Sequence, residues 1–206
     1  MDRERLPEGS RCAFDASGMP VVPTPKGSGN IAQGNALGIG VQKILASPEG
    51  AGYTSRMPQS LSKILVHLIY STKNRERVLT DNIRDELHRY TGGILRDLGS
   101  PAQLINSVED HIHIVFILAR TRSISEIVEE AKKGTSKWIK TKGAEFAEFH
   151  WQSGYGAFSV SRSSLDEVLK YVANQQEHHR HKTFQEEYRE FLRRYEIDYD
   201  EKYAWD

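Results

Sequence analysis

Residues 108–120 read VEDHIHIVFILAR, and this stretch determines how the rest of the chain is interpreted. Alternate side chains of a β-strand point to opposite faces. The even-numbered face is wholly apolar and predicts a strand packed on a core; it comprises Ile112, Ile114, Phe116 and Leu118. His111 and His113 share the other face, with Cβ atoms roughly 6–7 Å apart by strand geometry. That separation suits two imidazoles that bind one metal ion. It suits equally two histidines that are covered by loops and have no function.

Strand and helix patterns alternate on both sides of this segment. Strands are predicted over 63–71, 102–110, 111–119 and 155–161, the middle two forming an antiparallel pair. Helices are predicted over 80–99, 123–143, 163–179 and 183–197. Ser123 with Glu126 and Thr183 with Glu186 form capping boxes, and Gly99 is a helix stop. With no internal repeat, the pattern predicts an α+β fold, an antiparallel sheet flanked by helices.

The composition excludes several classes of protein. Lys plus Arg and Asp plus Glu each total 28 of the 206 residues, so bulk positive charge does not bind nucleic acid here, although local basic patches remain open. The single cysteine, Cys12, permits neither an internal disulfide nor a cysteine metal cluster and fits a reducing compartment. No apolar run approaches the ~20 residues of a membrane span, and the first residues lack a signal core. A cytoplasmic location is therefore expected.

Residues 1–56 differ in character from the rest of the chain. They contain five of the 7 prolines and nine of the 16 glycines and show no sustained apolar period. Such a segment buries too little apolar surface to offset its ordering entropy, so we predict a disordered leader over 1–56 and a single domain over 57–206. Met57 is an alternative translation start, and the composition does not decide between the two starts.

A second candidate set of polar residues lies on the predicted helix LDEVLKYVANQ. Tyr171 and Gln175 are four residues apart, so both stand on one side of the helix, next to its apolar stripe. A tyrosine in that position usually packs its ring and leaves its hydroxyl in water. Facing a sheet that carries His111 and His113, however, the pair would supply one nucleophile and a third metal ligand.

Several motifs in order carry a resemblance to a known family. DHIH (110–113), WQSGYGAFSVS (151–161) and YVANQQEHHR (171–180) resemble the small HUH-class single-tyrosine transposases of insertion sequences, the IS200-like and REP-associated family. HLIYSTKNR (67–75) and DYDEKYAWD (198–206) are also similar to it. The similarity covers about 57–206. The residues before the histidine pair read ED where many members have PD, which affects only the turn.

The resemblance implies a ferredoxin-like (RRM-like) HUH endonuclease fold and a set of site residues. By position, His111, His113 and Gln175 would hold a divalent metal, Mg²⁺ or Mn²⁺, and Tyr171 would attack DNA. The family further implies single-stranded DNA with hairpin ends as the partner and a homodimer in which a tyrosine helix can serve the partner's histidines. Residues 1–56 have no counterpart in the comparison.

The implied chemistry is consistent with these residue types. A divalent cation on a phosphate oxygen withdraws charge from a poor electrophile. Attack by a tyrosine hydroxyl then yields a 5′-phosphotyrosine and a free 3′-hydroxyl, and the covalent bond conserves the energy needed for rejoining. Two alternatives stay open: a domesticated or inactive relative that only binds hairpin DNA, and a metal-dependent hydrolase in which Tyr171 is structural.

Two basic segments are candidates for DNA binding. The stretch 132–142 reads KKGTSKWIKTK and offers Lys133, Lys137 and Lys140 for phosphates and Trp138 for stacking on an unpaired base. Trp138 is equally well explained as a core anchor. The second segment, after the first strand, contributes Lys73, Arg75 and Arg77. The histidine-rich stretch EHHRHK (177–182) is interpreted as a solvated helix end with cationic groups near the carbonyl terminus.

Overall fold

A four-stranded antiparallel sheet forms the centre of the computed structural model, which describes residues 60–180, 182–201 and 204. Its strands, in chain order, are β1 (Leu65–Ser71), β2 (Ala102–Ser107), β3 (His111–Ile117) and β4 (Gly156–Val160). They lie in the order β2-β3-β1-β4, and every neighbouring pair is antiparallel. The order of a split βαβ unit, in which β3 separates β1 from β2, is that of the ferredoxin-like arrangement. The predicted α+β fold with this sheet is confirmed.

Five helices connect or follow the strands within the described part of the chain: α1 (Asp81–Asp97), α2 (Ile124–Ile139), α3 (Leu165–Ala173), α4 (Gln175–His178) and α5 (Phe184–Arg194). Both predicted capping boxes are present, Ser123 with Glu126 at α2 and Thr183 with Glu186 at α5. Gly99 follows α1 with a φ of 72°, a left-handed conformation that glycine adopts without strain.

The predicted helix over 163–179 is interrupted, contrary to the sequence pattern. It divides into α3 and the single turn α4 at Asn174, whose φ and ψ are −96° and 20°. The Asn106 side chain on β2 donates to the carbonyl oxygens of Val172 (2.7 Å) and Ala173 (3.1 Å). In a continuous helix these carbonyls would accept from backbone N–H groups four residues on. A contact between distant segments therefore accompanies the break.

The two faces of the sheet pack against different helices. The even-numbered side chains of β3 join a core with α1 and α2, as predicted; it includes Leu68, Tyr70, Ile112, Ile114, Phe116, Leu87 and Ile127. The opposite face packs against α3 and α5 in a second core that includes Leu65, Ile69, Val115, Phe158, Val168, Val172 and Phe191. His111 and His113 point toward this second core. The odd-numbered face of β3 is thus covered by helices from the C-terminal part of the chain.

Gly156 allows α5 to lie close to the sheet. A Cβ atom at this position would lie 2.7 Å from Cε2 of Tyr188 on α5 and 2.9 Å from Cε2 of Phe158. Both distances are shorter than carbon atoms tolerate without movement. The absence of a side chain at Gly156 therefore sets how closely α5 approaches.

The predicted leader over 1–56 and the first residues of the predicted domain lie outside the described residues. Among the helices of the described residues, none has the length and apolar character needed to cross a membrane.

Adding one methyl group at Gly156 is expected to destabilise the protein. Gly156→Ala should lower the free energy of unfolding by ~1–3 kcal/mol, because the rings of both Tyr188 and Phe158 must move to admit the methyl group. Gly93→Ala is the matched control: Gly93 lies within α1, no atom lies within 4 Å of the added Cβ, and alanine favours helix by ~0.5–1 kcal/mol. Urea unfolding of the three proteins measures both changes. A Gly156→Ala variant as stable as the parent would contradict the close approach of α5.

Candidate active site

His111 and His113 are fully buried on the sheet face that α3 and α5 cover. Nδ1 of His111 lies 2.7 Å from Oδ1 of Asp110, the residue that precedes it in the motif. A carboxylate on one ring nitrogen fixes the tautomer and directs the other nitrogen, Nε2, into the space between sheet and helices. The predicted shared face of the two histidines is therefore present.

A third histidine, His67, belongs to the same cluster and was not predicted. Its Nε2 lies 3.0 Å from Nδ1 of His113, and the two rings stack with centroids 5.2 Å apart. This contact orients His113 as Asp110 orients His111, leaving His113 Nε2 free of any hydrogen bond. The sequence did contain a signal, because His67 lies on the same face of β1 as the apolar Leu65 and Ile69. Only the pairing of β1 with β3 shows that this face places His67 beside His113.

Tyr171 and Gln175 lie against the histidine pair of the same chain. The Tyr171 ring centroid is 6.3 Å from that of His113. The Tyr171 hydroxyl donates a short hydrogen bond to Oε1 of Glu187, and Nε2 of Gln175 donates to the same oxygen at 3.3 Å. Tyr171 is 8% exposed, so its hydroxyl is not in open water. One chain thus brings together all four residues predicted for chemistry and metal binding.

Glu187, on α5, was missed by sequence reasoning although it is the residue that the cluster shares. It is 0% exposed. Its Oε2 lies 3.6 Å from His113 Nε2, 3.7 Å from His111 Nε2 and 3.1 Å from His179 Nε2. In the sequence it is one acid among several in QEEYRE (185–190), where no pattern distinguishes it from its neighbours.

His179 corrects the prediction for the stretch 177–182. We predicted a solvated helix end, and Glu177 and Arg180 are indeed exposed. His179 instead turns inward: its Nε2 lies 2.9 Å from His111 Nε2, and its Nδ1 donates to the Lys182 carbonyl at 2.8 Å. The chain turns after α4, and that turn brings the ring back over β3.

The donor set fits a divalent metal ion. His111, His113, His179 and Glu187 each offer one ligand atom, and these atoms lie within 4.8 Å of one another. Three buried polar atoms of the cluster have no hydrogen-bond partner, namely His113 Nε2, Gln175 Oε1 and Glu187 Oε2. Buried polar atoms are almost always satisfied, so the unpartnered His113 Nε2 and Glu187 Oε2, which lie 3.6 Å apart, indicate a site for an ion.

The electrostatics of the cluster keep the His111 ring neutral and the Glu187 carboxylate ionised. Burial lowers the pKa of His111 to about 4, although its hydrogen bond with Asp110 opposes this, so the ring is neutral at pH 7. Burial likewise lowers the pKa of His67 to about 3. Burial would raise the pKa of Glu187, but the surrounding imidazoles outweigh that effect and hold it well below the usual value. Neutral imidazoles and an ionised carboxylate are the forms that bind metal.

The hydroxyl of Tyr171 remains protonated in this arrangement. Burial raises its pKa well above the usual value, and the negative charge of Glu187 raises it further. A phenol that donates to a carboxylate is held in a fixed orientation but is not an anion. Activation as a nucleophile therefore requires a change in its surroundings, such as the arrival of a cation.

The basic residues after β1 border a cavity beside this cluster. Arg75 and Arg77 line an opening of about 830 Å³, together with Asp110, His179 and Arg180. Further lining residues are the acids Glu109 and Glu186 and the cation Lys182. Lys73 is exposed but is not part of the lining described for this cavity. Arg75 adopts a φ of 57°, as does its neighbour Asn74 at 56°, so a left-handed turn follows β1.

The basic residues of α2 lie on the other side of the sheet. Lys133 pairs with Glu129, while Lys137 and Lys140 are exposed. Trp138 is half-buried: it packs against the first core and stacks on Tyr90 with ring centroids 5.3 Å apart. The structure therefore separates the predicted DNA-binding residues into two groups and brings only Arg75 and Arg77 to the cavity at the site.

Comparison with known proteins gives a matching family, and the solved structures with similar chains include two transposases. A protein of Deinococcus radiodurans R1, assigned as a transposase, is 22% identical, with 63% of this chain and 98% of that chain covered and a TM-score of 0.45. A REP-associated tyrosine transposase bound to a REP hairpin is 16% identical, with 61% and 74% covered and a TM-score of 0.46. No curated protein matches the sequence.

The family model described as "Transposase IS200 like" matches residues 60–175. The match runs from the residues before β1 to Gln175, so it spans the histidine pair and the tyrosine helix. It covers more than half of the chain, which therefore belongs to the family of IS200-like transposases.

Proposed function

We propose that this transposase cleaves and rejoins single-stranded DNA ends through a covalent bond to Tyr171, with a divalent metal at His111 and His113. The observation that carries the proposal is the meeting of Tyr171 and the histidine pair within one chain, linked by Glu187. A nucleophile, candidate metal ligands and a bordering basic cavity are the parts that phosphoryl transfer requires. We assign the activity to residues 57–206.

The proposed reaction exchanges one phosphodiester for another. The Tyr171 oxygen attacks the scissile phosphorus and loses its proton. The bond from phosphorus to the preceding 3′ oxygen breaks, and that oxygen leaves as a 3′-hydroxyl after taking up a proton. The 5′ phosphate stays on the tyrosine until a 3′-hydroxyl attacks it in the reverse sense, so that rejoining requires no other energy source.

His111 and His113 would hold the metal, with the Gln175 amide oxygen as an expected third donor. The bound ion, expected to be Mg²⁺ or Mn²⁺, would supply charge stabilisation and orientation at a phosphate oxygen. Asp110 and His67 each bond the remaining ring nitrogen of one histidine, which fixes both rings for that purpose.

The cavity next to the cluster is the proposed path for the DNA strand. Arg75 and Arg77 line it together with Arg180 and Lys182, which pair with Glu177 and Glu190. Guanidinium groups bind phosphate in a fork geometry, which suits them to fix a flexible strand. The group on α2, on the opposite sheet face, would contact a different part of the same DNA, for which a hairpin is proposed.

A homodimer remains part of the proposal, but it is not needed to complete the site. Tyr171 reaches the histidine pair of its own chain, so assembly in cis is available to a single chain. Exchange of tyrosine helices between protomers would require α3 and α4 to leave the contacts that Asn106 and Glu187 make with them.

A metal-dependent hydrolase is the second candidate. It is favoured by one observation, the burial of Tyr171 and its hydrogen bond to Glu187, which a purely structural tyrosine would also show. In that case water attacks the phosphate, and no covalent protein–DNA bond forms.

The first test addresses the nucleophile. Tyr171→Phe removes only a hydroxyl, so the protein should fold and bind DNA while the covalent adduct falls by more than ~10³-fold. Denaturing electrophoresis of the protein with a labelled single-stranded end measures the adduct. Tyr195→Phe, which loses a hydroxyl bonded to the Ser159 carbonyl, is the control and should form the adduct normally. Cleavage without any adduct in the parent would instead favour the hydrolase.

The second test addresses the metal. His113→Ala removes a ligand, and cleavage should fall by at least ~100-fold while DNA binding persists. Excess chelator should abolish cleavage by the parent, and added Mn²⁺ should restore it. Undiminished cleavage in chelator would show that the histidine pair has another role.

The third test addresses the DNA path. Replacement of Arg75 and Arg77 by Ala should reduce the salt dependence of single-strand binding, measured as the slope of log affinity against log salt, by ~0.7 per lost phosphate contact. Replacement of Lys137 and Lys140 by Ala serves as the comparison, since these exposed lysines lie across the sheet. The proposed path would be wrong if only the second pair of changes reduced the slope for a short single strand.

A further inference from the structure

The residues that follow the family match contribute to the candidate metal site. The match ends at Gln175, whereas His179 lies just after α4 and Glu187 lies on α5. Both side chains nevertheless enter the cluster around His111 and His113. The C-terminal segment 178–187 therefore bears on how a metal would be held.

The separations between donor atoms are those of ligands around one ion. His179 Nε2 lies 2.9 Å from His111 Nε2 and 3.1 Å from Glu187 Oε2, which in turn lies 3.6 Å from His113 Nε2. Ligands that bind one ion at ~2.0–2.2 Å are roughly 3–4 Å apart. The widest separation in the set, 4.8 Å, needs only a small contraction.

The burial of Glu187 adds an independent argument. The side chain is 0% exposed, and Oε2 accepts no hydrogen bond, while Oε1 accepts from Tyr171 and Gln175. A buried carboxylate requires compensating positive charge, which either a bound cation or a protonated histidine such as His179, 3.1 Å from Oε2, would supply. Oε2 faces the nitrogen atoms of three histidines.

We propose that His111, His113, His179 and Glu187 bind one divalent ion together, so that the segment 178–187 completes a site which the family pattern assigns to the histidine pair and Gln175. The inference rests on the metal requirement in the proposed function; it adds His179 and Glu187 to the histidine pair and replaces Gln175 as a ligand, leaving its amide to donate to Glu187 Oε1. One carboxylate then links the ion to the nucleophile, because Oε2 of Glu187 binds the metal while Oε1 holds the Tyr171 hydroxyl.

The composition of this set also favours one class of metal. Three imidazoles and one carboxylate suit transition ions such as Mn²⁺ and Zn²⁺, whereas Mg²⁺ prefers oxygen donors and retains its water. A six-coordinate ion such as Mn²⁺ keeps room for a phosphate oxygen after four protein ligands are bound. A tetrahedral Zn²⁺ would be saturated by the same four. We therefore expect binding to strengthen from Mg²⁺ to Mn²⁺ to Zn²⁺, with Mn²⁺ as the ion that leaves the site open.

The alternative is an ion pair between His179 and Glu187 with no metal role. Burial disfavours a charged His179, but the Glu187 carboxylate outweighs that penalty and raises its pKa. Such a pair would stabilise the fold and leave metal affinity to the other residues. Measuring metal binding directly, without DNA and without activity, separates the two explanations.

Calorimetric titration of the metal-free full chain with Mn²⁺ is the deciding experiment. His179→Gln and Glu187→Gln should each weaken Mn²⁺ binding by more than ~100-fold, beyond the ~10–100-fold that loss of a residue outside the ligand set costs. The matched controls should bind as the parent does. They are His150→Gln, an exposed histidine outside the cluster, and Glu190→Gln, on the same helix as Glu187. Pulsed electron paramagnetic resonance should count three imidazole nitrogens on Mn²⁺ in the parent and two in His179→Gln.

Each outcome has a definite reading. Parental affinity in either His179→Gln or Glu187→Gln overturns the four-ligand site, and so does Mg²⁺ binding as tight as that of Mn²⁺. If His111→Ala abolishes binding while His179→Gln and Glu187→Gln bind Mn²⁺ as the parent does, the proposed function stands and this inference fails. If the parent binds none of the three ions, the metal requirement of the proposed function fails as well. Thermal melting confirms folding, and should Glu187→Gln not fold, His179→Gln and the nitrogen count still decide.

Discussion

A buried carboxylate between imidazoles is the constraint on which the rest of this structure depends. Glu187 lies where no solvent reaches, and charge in such a place must be compensated by neighbours within a few ångströms. Strands β1 and β3 supply histidines from one side, and α3 and α4 supply a tyrosine and an amide from the other. The second core forms around this polar centre, with apolar side chains that exclude water from its edges. The polar centre and the second core are therefore parts of one packing arrangement.

The two faces of the sheet have different roles. One face, packed on α1 and α2, is a conventional apolar core that determines the order and register of the strands. The other face uses the same strands to present polar side chains in known positions. A shift of one residue in strand register would move every side chain of β3 to the other face. Burial of the apolar side of β3 therefore also fixes His111 and His113 on the opposite side. The packing of the first core thereby determines the positions of the two histidines at the site.

Local sequence patterns predicted most of the fold and only part of the site. Alternation in β3 gave the correct faces, and capping boxes gave the starts of α2 and α5, because these features depend on neighbouring residues. The placement of His67 and Glu187 at the site depends instead on which strands pair and on how α5 crosses the sheet. The break at Asn174 depends on a side chain from β2 that is distant in sequence. Such information resides in tertiary contacts, which no spacing rule in one sequence encodes.

The bond from Asn106 to the end of α3 has a consequence for precision. Asn106 is the residue on β2 that lies opposite His113 in the ladder, and its amide holds the backbone just after Tyr171. The helix that carries Tyr171 and the strand residue His113 are thus held by the same residue pair of the sheet. A displacement of this pair would move the Tyr171 helix and His113 together, so that their separation would change less than the position of either.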